Sequence, residues 1–80
     1  MEYRQIARAD RDDLYTRMAH GEVFLWNAYE QMVFRFTPSG AVFAKARGMA
    51  EFRTQEGSTV VADALLEGKE ISAEAYSGYV

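Results

Sequence analysis

Between Gln31 and Gln55 two short turn sequences fix a pairing register, and with it which side chains share a face. Thr37-Pro38-Ser39-Gly40 reads as a type I turn with glycine in the left-handed bulge position, a three-residue hairpin loop. With Thr37 opposite Ala41, one face carries Met32, Phe34 and Phe36 against Ala46, Ala44 and Val42. A second three-residue loop, Arg47-Gly48-Met49, sets Ala46 opposite Ala50, Ala44 opposite Phe52 and Val42 opposite Thr54. Side chains alternate across a strand. The other face therefore shows Arg35, Phe43 and Arg53 in one cross-strand row, with Lys45 opposite Glu51 beside it. One side of this sheet is apolar; the other is expected to face solvent as a mixture of cations and rings.

The flanking segments supply helices. Asp10 reads as an N-cap, and Asp12 and Asp13 fall in a first turn, where carboxylates suit the positive end of the helix dipole. Leu14, Tyr15 and Met18 recur at helical spacing, Asp13 and Arg17 form a favourable i,i+4 pair, and Gly21 stands where a left-handed C′ residue belongs. The pattern predicts a helix over 11–20. Glu22 to Asn27 is a strand apolar on both faces, with Phe24 and Trp26 on one side and Val23 and Leu25 on the other. A helix continuing through Gly21 to Phe36 is the competing reading; the glycine and the density of β-branched and aromatic residues oppose it. Ser58 caps a helix from Thr59 to Glu67 that Gly68 ends, Ile71 folds back onto the sheet, and Ser72 caps a last turn through Tyr76. Glu2 to Ala7 is a short strand or an extended arm. The fold class is α+β: one domain over 1–80, an antiparallel β-meander of three to four strands with helices packed on one face.

Composition limits function. The 80 residues carry a net charge of −3, which argues against broad, salt-driven binding to nucleic acid. No cysteine is present, so there is neither a disulfide scaffold nor a thiolate metal site, and a reducing cytoplasm is the expected setting. No apolar run reaches the roughly 20 residues that cross a bilayer. His20 is the sole histidine, at a helix end without a serine nucleophile pattern. Asp10, Asp12 and Asp13 lack the glycine and distal glutamate of a calcium loop. Gly57-Ser58-Thr59 precedes a helix without the lysine of a phosphate loop. The expectation is no enzyme, no cofactor and no metal.

What remains is a binding surface. Arg35, Phe43, Lys45 and Arg53 are the candidate contact residues on the sheet, with Trp26 and Tyr29 as aromatic anchors. They point to a small interaction module that docks a protein partner or a second copy of itself, as an inhibitor or regulator. In an acidic inhibitor of a basic surface, Glu67, Glu70 and Glu74 form the negative side. The alternative is weak single-strand nucleic-acid binding, with bases stacked on the arginine–phenylalanine row. Size, acidity and layout are similar to those of many small bacterial proteins, including phage-encoded inhibitors.

Overall fold

A computed structural model describes residues 3–5, 10–55 and 57–79, with backbone only for 3–5 and 10–12. In chain order the elements are β1 (Tyr3–Gln5), α1 (Asp10–His20), β2 (Val23–Asn27), β3 (Met32–Phe36), β4 (Val42–Ala46), β5 (Phe52–Arg53), α2 (Thr59–Glu67), β6 (Lys69–Ile71) and α3 (Ala73–Ser77). The strands form one antiparallel sheet in the order β1-β6-β2-β3-β4-β5.

The four strands from β2 to β5 are the meander that the turns predict. Met32 faces Ala46, Phe34 faces Ala44 and Phe36 faces Val42, and across the next pair Phe43 faces Arg53 and Ala44 faces Phe52. The glycines explain this register. Gly40 (φ 91°) and Gly48 (φ 77°) occupy the left-handed region that a side chain resists. The loops close through Thr37 N–H to the Ala41 carbonyl (3.1 Å) and Met49 N–H to the Ala46 carbonyl (3.0 Å). The sheet is wider than the meander by two strands: β6 lies along β2, and β1 lies along β6. Glu2 and Ile6–Ala7 of the expected first strand lie outside the described residues, as do the side chains of Asp10 and Asp12 and the structure of Glu56.

Both faces of the sheet are covered, whereas helices on one face only were expected. The even-numbered face buries Phe34, Phe36 and Ala44 with Val23 and Leu25 under Leu14 of α1 and Ala64 of α2. The opposite face buries Val33 and Ile71 under Tyr76 of α3 and Tyr79. Phe24 and Trp26 pack into this second cluster, which accounts for a strand apolar on both sides.

The helix ends depart from the expected chemistry. Gly21 does not take a positive φ, although its N–H still closes α1 on the Arg17 carbonyl (2.9 Å). The Ser58 side chain makes no capping hydrogen bond. Gly68 has φ −65°, so it is not a left-handed stop; a Cβ there would stand 2.3 Å from the Ala64 carbonyl oxygen. That glycine allows β6 to leave α2 without clearance. Ser72 does cap α3, accepting from Ala75 N–H at 3.0 Å.

Candidate interaction surface

The row Arg35–Phe43–Arg53 runs across β3, β4 and β5, as the turns require. Its members have different surroundings. The Arg35 guanidinium lies 4.3 Å from the centre of the Phe43 ring, a cation–π stack. Its Nε and Nη2 donate to the two oxygens of Glu51 (3.0 and 2.9 Å), and Nη1 donates to Glu22. These carboxylates, Glu51 first and then Glu22, hold the Arg35 pKa above its ordinary value. In return Arg35 holds the Glu51 carboxyl below the usual carboxylate range. Arg35 is thus a pinned cation with its charge balanced locally. Arg53, two strands further out, is exposed and makes no ion pair with a described residue.

Part of this face is a floor for the C-terminal segment instead of open surface. Glu51 Oε2 accepts the Tyr76 hydroxyl at 2.6 Å, and the Tyr76 ring tilts against Phe24 with centroids 5.3 Å apart. Burial, and then the bond to Glu51, raises the Tyr76 hydroxyl pKa above its ordinary value. Lys45, paired with Glu51 in the sequence reading, lies instead 4.6 Å over the Tyr76 ring and donates to the Ser77 carbonyl. Glu51 is engaged by Arg35 and Tyr76. Trp26 is a half-buried wall, its ring 5.5 Å from that of Tyr79, whose hydroxyl donates to the Gln31 carbonyl at 2.7 Å. Tyr29, by contrast, is 87% exposed in the β2–β3 turn, which the buried Asn27 side chain ties by accepting from the N–H groups of Tyr29 and Glu30.

The structure therefore brings Arg35, Phe43, Lys45 and Arg53 together and sets Tyr29 and Trp26 apart from them. The sequence reading missed Glu22, and it left open whether Tyr76 and Tyr79 dock on the core, augment a sheet edge or stay disordered; both are buried. Tyr76 carried one signal: it stands four residues after the capping Ser72, where a helix laid on the sheet would point a side chain inward. Of the acidic set, Glu70 is bound by both terminal nitrogens of Arg17 (2.6 and 2.9 Å), so it serves to fasten β6 to α1. Among the described residues no group of three or more His, Cys, Asp or Glu side chains could hold a metal ion, and no helix is long and apolar enough to cross a membrane.

The outer end of the face is the β5 edge. Among the described residues β5 has a neighbour on one side only, and residues 49–53 are all exposed. Thr54 N–H donates to the Val42 carbonyl at 2.8 Å, which makes that opposed pair hydrogen-bonded. Because such pairs alternate along an antiparallel ladder, the backbone groups of Phe52 turn toward β4 while those of Glu51 and Arg53 turn outward.

No family model matches the chain, and no curated protein matches it. Among solved structures, a chain of the "Crystal structure of the complex between the Type VI effector Tas1 and its immunity protein" shares the fold with a TM-score of 0.68. The match covers 79% of this chain and 88% of that one, at 22% identity.

Proposed function

We propose that the protein is a small non-enzymatic interaction module that docks a protein partner through the outer row Arg35–Phe43–Arg53 and the adjoining β5 edge. The observation that carries this reading is the position of Arg53: an exposed cation beside the half-exposed Phe43, on a strand with outward-turned backbone groups. An unpaired edge of that kind accepts an extended segment by main-chain hydrogen bonding, and flanking side chains select it. Arg35, held by two carboxylates and a ring, loses little freedom on binding, so it serves as a rigid shoulder for the site. The structural neighbour, taken from an effector–immunity complex, supports an inhibitor or regulator as the class of module.

The pairing of Arg35 weighs against the nucleic-acid alternative. Two carboxylates within hydrogen-bonding distance of one guanidinium leave Arg53 and Arg47 as the exposed cations on that side, too few for a phosphate track. Affinity capture from the native cell with the wild type and Arg53→Glu, both checked for folding by circular dichroism, tests the reading. A partner retained by the first and lost by the second is expected. Identical capture by both refutes the surface. A salt-sensitive shift of labelled single strands that Arg35→Ala abolishes would favour the alternative.

A further inference from the structure

Glu51-Phe52-Arg53 reads acid, ring, base along an edge strand, and this order is its own complement when the strand is turned end for end about Phe52. We infer that the β5 edge pairs antiparallel with the β5 edge of a second copy of this chain, about a two-fold axis at Phe52. The inference deepens the proposed function and rests on its assignment of β5 to the docking surface.

The backbone favours this register. Outward-turned groups belong to Glu51 and Arg53, so pairing Glu51 with Arg53 of the second copy makes two hydrogen-bonded pairs that exchange N–H···O=C bonds in both directions. Phe52 then meets Phe52 of the second copy in the non-hydrogen-bonded position between them, where Cα atoms stand about 4.5 Å apart and side chains are closest. The half-exposed ring gains an aromatic neighbour there.

The charges agree as well. Arg53 shares a face with Phe43 and Arg35, and Glu51 lies on that same face with its carboxylate bound to Arg35. A carboxylate offers about four acceptor sites; Arg35 Nε, Arg35 Nη2 and the Tyr76 hydroxyl take three of those on Glu51. One remains for Arg53 of the second copy, which has no ion pair with a described residue of its own chain. Natural edge strands usually deter pairing with like charges. Here the two signs are ordered so that a second copy is attracted, and a shifted register would oppose like to like. Pairing over so short a strand belongs to the weak interfaces, below about 1,200 Å² in total, so the dimer is concentration-dependent.

Two measurements on the purified full chain test this. Sedimentation equilibrium of the wild type should show a mass rising from 9.1 kDa toward about twice that value with concentration. Arg53→Glu sets carboxylates against each other at two symmetric places and should weaken the association more than about tenfold. Because the chain has no cysteine, Phe52→Cys places a single thiol on the axis, within the Cα range of about 4.4–6.8 Å that a disulfide spans. It should oxidise to a covalent dimer, while Ala50→Cys, whose opposite position is Thr54, should not. A mass constant at 9.1 kDa, or equal cross-linking by the two cysteine variants, overturns the dimer. A constant mass with partner capture still sensitive to Arg53→Glu removes the dimer alone and leaves the proposed function in place.

Discussion

Tyr76→Phe isolates what fastens the C-terminal helix to the sheet. The substitution removes one hydroxyl and keeps the ring that packs on Phe24 at 5.3 Å. The lost bond is short, 2.6 Å, and its acceptor is the Glu51 carboxylate. Hydrogen bonds to charged groups contribute about 1.5–3 kcal/mol, but the Glu51 side chain is 35% exposed, so water takes over part of the acceptor. That screening brings the contribution to the bottom of this range or just below it, about 1–1.5 kcal/mol at neutral pH. In a domain of this size each kcal/mol moves Tm by about 4–8 °C, giving a fall of about 4–12 °C. The pH dependence follows from the two shifts. Burial, and then Glu51, raises the pKa of Tyr76, so its contribution is complete below the ordinary value of 10.0 and is lost as pH rises beyond it. Glu51 is lowered, by Arg35 first, so its contribution is complete above 4.5 and is lost as pH falls through the depressed value. Thermal melts followed by circular dichroism should show the widest gap between wild type and variant on the plateau between those limits, narrowing on both sides. A gap below about 0.3 kcal/mol at neutral pH, or one that does not change with pH, would refute the hydroxyl–carboxylate contact as the fastening.

Phe34→Ala empties the centre of the larger cluster, where Phe34 is fully buried. It should cost about 3–5 kcal/mol, most of what an 80-residue domain has, and urea melts should show little cooperative transition left. Phe52→Ala, at a half-exposed ring, should cost far less. Gly68→Ala should destabilise by about 1–3 kcal/mol although the backbone there suits any residue, because the new Cβ would meet the Ala64 carbonyl at 2.3 Å. A stabilised Gly68→Ala protein in the same melts would contradict that close approach.

The hairpin region was legible because its information is local. Two glycines that must take positive φ fix two loops of defined length, and period-two alternation converts loop length into facing. Arg35, Phe43 and Arg53 therefore fall in one row on local information alone. What the sequence concealed was long-range. Lys45 opposite Glu51 looks like an ion pair, but Arg35 of the same face takes Glu51, and Tyr76 and the Ser77 carbonyl arrive from the far end of the chain. That Ile71 returns to the sheet is legible, but nothing local states that Lys69–Ile71 takes its place along β2 or that Tyr79 will reach the Gln31 carbonyl. Gly68 misled for a related reason: its role is steric contact with a neighbouring carbonyl, which a helix-ending signal imitates.

Coverage of both faces constrains how a chain this small can recognise anything. Short chains bury only about 60% of the surface that their unfolded form exposes, so each large ring is drawn into the core if it can reach it. Here α1 and α2 cover one side of the sheet, while α3 and Tyr79 cover much of the other and enclose Phe24 and Trp26. On the face that α3 and Tyr79 cover, the surface left for contact is a rim: Arg53 and Phe43, the β5 edge and the turn that presents Tyr29. An open cleft of about 550 Å³ adjoins this rim, lined by Phe52, Arg53 and Thr54 with Gly57, Ser58 and Thr59. Along the β5 edge, selection comes from the order of charges and from registers that would oppose like to like, and the acid–ring–base sequence at 51–53 is where that order is written on this strand.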